Sequence, residues 1–68
     1  MKVQEIIMTS MVDDLTRIAI ANRNGKFLAK GNWYNDDVLS YVGYEVYSCL
    51  YQADLNSIRI TIVEENER

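Results

Sequence analysis

Hydrophobic and polar residues alternate most cleanly near the C-terminal end of the chain. From Ser57 to Val63 the order Ser-Ile-Arg-Ile-Thr-Ile-Val puts Ile58, Ile60 and Ile62 on one face and Arg59 and Thr61 on the other. A two-residue period of this kind predicts a half-buried strand. Leu15 to Ala21 alternates in the same way around Ile18 and Ile20, and predicts a second strand. It runs into Asn22-Arg23-Asn24-Gly25, a turn signal, because asparagine and glycine tolerate the positive φ of tight hairpins. Lys26 to Gly31 then returns as the partner strand. If Gly25 takes the left-handed position after a type I turn, Ile20 faces Leu28; in a two-residue type I′ turn, Ile20 shares a face with Phe27 instead. Near the start, Val3, Ile6, Ile7 and Met11 recur at helical spacing before Asp13-Asp14 interrupts the pattern, so a short amphipathic helix is expected there. The charged stretch 64–68 is expected to fray.

Between Asp36 and Ala53 two periods compete. On a helical wheel Val38, Leu39, Val42, Val46, Cys49, Leu50 and Ala53 fall within an arc of roughly 120°. Asn35 or Asp36 would cap such a helix, and the paired aspartates suit its positive end. Against it, Gly43 would cost about 1 kcal/mol in mid-helix, and Tyr44 to Tyr51 is rich in the tyrosine and valine that favour strands. Read as a strand, this segment alternates Tyr44, Val46, Ser48 and Leu50 against Glu45, Tyr47, Cys49 and Tyr51. Ala53 to Ser57 would then close a hairpin onto the last strand.

The chain also shows an order of short segments: Lys-Val-Gln-Glu-Ile-Ile, Thr-Arg-Ile-Ala-Ile, Gly-Lys-Phe-Leu-Ala-Lys-Gly-Asn-Trp-Tyr-Asn-Asp, Tyr-Glu-Val-Tyr-Ser and a closing Ile-Arg-Ile-Thr-Ile. Over nearly its full length it resembles small uncharacterised proteins carried by phages and conjugative elements of gut Firmicutes. The resemblance rests on a loose pattern without a catalytic signature, and it implies fold and context rather than activity. It implies a helix, a hairpin, a short helix at Asp36–Val42 and a second hairpin at Tyr44–Val63. The expected fold is therefore a single small α+β domain over residues 1–68. Its order would be α-β-β-α-β-β, with an antiparallel four-stranded sheet and the helices on one face. The alternative fold has β-strands flanking one long helix, Asp36–Ala53.

With 68 residues and 7.9 kDa, the chain has room for one domain. A domain of this size buries only about 60% of the surface of its unfolded form, and its core supplies a net stability of roughly 3–5 kcal/mol. One cysteine makes no internal disulfide, and without histidine there is no Cys/His zinc site. No apolar run approaches the ~20 residues that cross a bilayer, and Met1-Lys2-Val3-Gln4-Glu5 lacks the apolar stretch of a secretory signal. A cytoplasmic location without membrane attachment is expected, in keeping with the lone Cys49.

The missing histidine also removes the commonest general base and every Ser-His or Cys-His pair within one chain. Gly25, Gly31 and Gly43 are isolated, so no phosphate-binding loop is present. The adjacent pairs Asp13-Asp14, Asp36-Asp37 and Glu64-Glu65 diverge in a helix and oppose each other in a strand, which suits capping better than metal binding. Cys49 has no nearby cation to lower its pKa and is expected as a small apolar filler. A non-enzymatic protein without cofactor or metal is the expectation.

Charge is more informative. The net charge of −3 argues against general affinity for nucleic acid. Yet Leu15 to Asn35 holds Arg17, Arg23, Lys26 and Lys30 and no acid, while all ten acids lie outside it with Lys2, Arg59 and Arg68. The hairpin segment thus carries +4 and the remainder −7. Such a hairpin could dock on an anionic surface, or its cations could simply guard an edge against aggregation. One layer of helices covers only one face of a sheet, so the second hairpin would expose either Tyr47, Cys49 and Tyr51 or Tyr44, Val46 and Leu50. Exposed tyrosine suits protein interfaces.

These features favour a protein-interaction module of a phage or mobile element, with an unknown protein or a second copy of itself as partner. Arg23, Lys26, Lys30, Trp33, Tyr34, Tyr47 and Tyr51 are the candidate partner-binding residues. A weaker alternative is a small nucleic-acid-binding protein that uses the basic hairpin with Trp33 and Tyr34 as a stacking platform. A third is an inhibitor of a host defence protein that acts through the acidic remainder. At the junction of hairpin and second helix, Trp33 itself either staples the corner of the core or lies exposed beside Lys30 and Tyr34.

Overall fold

A computed structural model describes residues 1–9 and 12–64. In chain order these form α1 (Val3–Ile7), β1 (Arg17–Ala21), β2 (Phe27–Gly31), α2 (Asp36–Leu39), β3 (Glu45–Gln52), a 3-10 turn at Ala53–Leu55 and β4 (Ser57–Val63). The strands make one sheet in the order β2-β1-β4-β3. Strand content exceeds helix content, and both α-helices are short. Met11 and residues 65–68 lie outside the described residues, and with them the expected end of the first helix and most of the expected frayed tail.

The sheet is mixed, which corrects the expectation of a fully antiparallel one. β1–β2 and β3–β4 are antiparallel, but the central pair β1–β4 runs parallel, with Ile18 opposite Ile58 and Ile20 opposite Ile60. Residues 32–44, including α2, carry the chain from the end of β2 to the start of β3. Parallel strands require a crossover of about a dozen residues rather than a tight turn, and this segment supplies it between the two hairpins. The long helix Asp36–Ala53 is overturned: α2 stops at Leu39, and the tyrosine- and valine-rich stretch beyond Gly43 pairs with β4.

Alternation along the two central strands builds the core. Ile18, Ile20, Ile58, Ile60 and Ile62 are all buried and cluster with Ala29 of β2, Val3 and Ile6 of α1, and Val38 of α2. Each isoleucine withdrawn from water contributes about 1.5–3 kcal/mol, so these five outweigh the contribution of either short helix. Tyr41, Tyr44, Val46 and Tyr51 pack around the cluster and remain partly buried.

Two irregularities decide what faces where. In the first hairpin, Gly25 has a φ of +87° and Asn22 Oδ1 accepts from the backbone N–H groups of Asn24 and Lys26, both at 3.0 Å. The left-handed glycine is one that the sequence allowed for, but neither expected register follows. Ala21 pairs with Phe27 and Ile20 with Ala29, so Leu28 is bulged and Ile20 opposes the small Ala29. In β3, Val46 pairs with Ile62 and Ser48 with Thr61, leaving Tyr47 as an inserted residue. Such a bulge shifts the alternation by one place. Val46, Cys49 and Tyr51 consequently share register with the core isoleucines, while Ser48, Leu50 and Gln52 share it with Thr61, Arg59 and Ser57. Neither of the two alternating sets expected to be exposed is exposed as a set.

The start of α2 depends on Gly31. Asn35 caps the helix by accepting from the Asp37 N–H at 2.9 Å. Gly31 has a φ of +146°, and a Cβ there would come within 2.9 Å of the Asn35 side chain. Gly31→Ala therefore combines backbone strain with displacement of the cap, and is expected to cost about 1–3 kcal/mol. Gly43, with nothing within 4 Å of a built Cβ and no positive φ, should accept alanine without loss. Thermal melts of the two variants check this contrast.

Candidate interaction surface

The strand face away from the isoleucine cluster carries Arg17, Ala19 and Ala21 of β1, Phe27 and Lys30 of β2, Ser57, Arg59 and Thr61 of β4, and Ser48, Leu50 and Gln52 of β3. The pairings Lys30–Ala19, Ala19–Arg59 and Arg59–Leu50 set these four residues in a row across the sheet. Phe27 is 44% exposed and Leu50 57% exposed. The Lys30 Nζ lies 4.3 Å from the Phe27 ring centroid and the Arg59 Cζ 5.3 Å from it. At the turn end, Arg23 Cζ stands 4.5 Å over the ring of Tyr47, which is 58% exposed. Cations over aromatic faces contribute about 0.5–1 kcal/mol each at exposed sites, enough to orient long side chains that would otherwise sample many rotamers. Between β1 and β2, Arg17, Ala19, Phe27, Lys30 and Ser57 line a shallow depression of about 430 Å³. The small Ala19 makes the depression, and the two cations stand beside it.

Among the described residues, the only carboxylate at a register position on this face is Glu45, which pairs with Val63 at its far corner. Glu45, at the head of β3, contacts the Met1 amino group and the Lys2 Nζ, both at 3.3 Å. These two cations, the amino group first, hold its carboxyl below the usual range. The remaining described acids lie on α1, α2, the loop before β1, the 3-10 turn and the residue after β4.

Arg23, Lys30 and Tyr47 thus share or border one surface, and Lys26 is exposed at the hairpin turn beside it. Tyr51 packs against the core instead. Trp33 and Tyr34 meet edge to face at 5.5 Å. Trp33 does not fill the corner of the core: it is 38% exposed, and its indole N–H donates to Asp14 Oδ1 at 2.8 Å. It ties the end of the first hairpin to the loop before β1, where Ile7, Met8, Val12 and Leu15 form a groove with it. Cys49 is exposed on β3 rather than an interior filler, and partial burial pushes its thiol pKa up.

Arg17, Phe27, Leu50 and Arg59 belong to the surface without having been singled out as partner-binding residues. Arg59 was legible in principle, since the alternation of Ser57 to Val63 puts it opposite the isoleucines. Phe27 and Leu50 required the two bulges, which no local residue pattern announces.

The loop before β1 is expected to make the fold acid-sensitive. Asp13 accepts at Oδ1 from the Leu15 N–H at 2.9 Å and lies 3.0 Å from the Thr16 hydroxyl, which is also 3.1 Å from Asn56 Oδ1. The Leu15 bond first, and the Thr16 hydroxyl next, lower the Asp13 pKa. A carboxyl depressed on folding stabilises above its unfolded pKa, and that contribution is lost as pH falls through the folded value. Asp13 and Glu45 act in the same sense, so denaturant midpoints should fall on acidification below about pH 4. Asp13→Asn, which keeps an acceptor for the Leu15 N–H, should flatten that fall.

No protein family, curated protein or solved structure matches this chain. Among the described residues, no helix is long and apolar enough to cross a membrane.

Proposed function

We propose that the protein is a non-enzymatic interaction module that docks an acidic protein surface on the open face of its sheet. The reading takes the two helices as a layer over the isoleucine cluster, with the opposite strand face left to the partner. The observation that carries it is the segregation of charge. Arg17, Lys30 and Arg59 share a face with Phe27 and Leu50, while Glu5, Asp36 and Asp37 lie on the helices, and Glu45 at the corner of the face is paired with the Met1 amino group and Lys2. Guanidinium groups seat carboxylates in bidentate geometry, and exposed rings with arginine are enriched at protein interfaces. The absence of histidine from the sequence and the raised thiol pKa of Cys49 support a binding role over catalysis. A phage or mobile-element context and a cytoplasmic setting belong to the same proposal, supported by the order of sequence segments and the lone cysteine.

A single-stranded nucleic acid is the second reading, favoured by the cations beside the Ala19 depression. It is the weaker one. Cations already stand over the rings of Phe27 and Tyr47, where a base would have to stack, and the Trp33 indole is committed to a carboxylate.

Calorimetric titration with two probes of matched charge separates the readings. One is a peptide alternating glutamate with leucine and tyrosine; the other is oligodeoxythymidine. The peptide should bind more tightly and retain most of its affinity between about 50 and 200 mM salt, because part of its contact is apolar. Tighter binding of the oligonucleotide with a steep salt slope would transfer the function to nucleic acid. Binding of neither probe would remove the proposal.

A further inference from the structure

β3 is an outer strand, so one of its edges faces no other strand of the sheet. The first part of that edge is covered: Lys2 bridges antiparallel to Glu45, and the Val46 N–H donates to the Met1 carbonyl at 2.8 Å. Among the described residues the covering ends there, and Tyr47–Gln52 keeps its outward backbone groups unpaired. This remaining edge reads Tyr-Ser-Cys-Leu-Tyr-Gln, with neither charge nor proline. Natural sheets usually guard an edge with charge, proline or a bulge; the bulge here, at Tyr47, stands at the start of the segment, and Ser48–Gln52 beyond it pairs regularly with β4. The opposite outer strand, β2, is guarded by Lys30 and by Lys26 at its head.

We propose that two copies of the chain pair antiparallel along Tyr47–Gln52 of β3, joining their sheets into one across a two-fold axis at Cys49. A second copy is the occupant that fits. Identical edges related by a two-fold axis place no like charges opposite one another here, because the segment carries none. The edge already accepts an antiparallel segment at its head, from Met1 and Lys2. The other route to a symmetric dimer, open face against open face, would bring Arg17, Lys30 and Arg59 against their own copies. An acidic partner has its complement on the cationic face and none on this neutral edge. An axis normal to the sheet sets the two cationic faces side by side, so the dimer doubles the surface offered to an extended partner. About six residues of edge, Leu50 and Tyr47 among them, give a contact at the small end of specific interfaces and a reversible dimer.

Analytical ultracentrifugation of the full chain, without any acidic probe, tests the pairing separately from partner binding. Wild type should show a monomer–dimer equilibrium at micromolar concentrations. Leu50→Lys, which sets a cation diagonally across the axis from its own copy, should raise the dissociation constant at least about tenfold with an unchanged melting temperature. If Leu50→Lys lowers the melting temperature, Ser48→Lys repeats the test one step along the solvent-exposed edge. Mild oxidation should cross-link wild type through Cys49 and leave Cys49→Ser uncross-linked. A strictly monomeric wild type overturns the proposal, as does a dimer that neither lysine variant weakens or that Cys49 does not cross-link.

Discussion

Ile60→Ala is expected to unfold the domain. Ile60 is fully buried, sits mid-way along β4, and pairs on one side with Ile20 of β1 and on the other with Cys49 of β3. Truncating a buried isoleucine to alanine costs about 2–5 kcal/mol through lost transfer energy and the cavity left behind. A core of this size supplies roughly 3–5 kcal/mol in total, so most or all of the stability goes. Leu50→Ala, one pairing away but on the exposed face, should change stability by no more than about 0.5 kcal/mol. Circular dichroism melts of the two variants make the comparison, and similar losses in both would contradict the assignment of the two sheet faces.

Lys30→Glu combined with Arg59→Glu should have the opposite profile: intact fold, lost binding. Both side chains are exposed, and their main structural contact is with the Phe27 ring, worth about 0.5–1 kcal/mol per cation. Reversing both charges turns the centre of the open face from attraction to repulsion for carboxylates. Affinity for the glutamate-containing peptide should fall at least about a hundredfold, or close to 3 kcal/mol. The melting temperature should move by only a few degrees. Reversal of Asp36 and Asp37 to lysine on α2 should leave that affinity nearly unchanged.

Much of this architecture was legible in the alternation of isoleucines at 18, 20, 58, 60 and 62 and in the Asn22–Gly25 turn, because period and turn chemistry are local properties. The stretch from Asp36 to Ala53 was legible only as a choice, since its apolar residues satisfy both a helical arc and a strand. Tertiary pairing settled it. Once β4 offers an edge, the β-branched and aromatic side chains beyond Gly43 gain more from the ladder than from a helix interrupted by glycine.

The parallel central pair was hidden for a different reason. An isoleucine-alternating strand accepts a neighbour of either direction, and direction is set by the crossover rather than by the strand. The bulges at Leu28 and Tyr47 were hidden too, and they carry the candidate surface. Each inserts a single residue, and that residue moves Phe27 and Leu50 onto the same face as Lys30 and Arg59. The contact between Trp33 and Asp14 escaped sequence reasoning because the two lie 19 positions apart in the chain and are joined only by the fold.

The measurement that bears most directly on the proposed surface is a two-dimensional ¹H–¹⁵N resonance map of the labelled protein during titration with the glutamate-containing peptide. The expected perturbations concentrate on Arg17, Phe27, Lys30, Leu50 and Arg59, with Tyr47 and Arg23 at the margin, while amides of α1, α2 and the Trp33 groove stay in place. Perturbations centred instead on Ile7, Leu15 and Trp33, with the strand face unmoved, would contradict it.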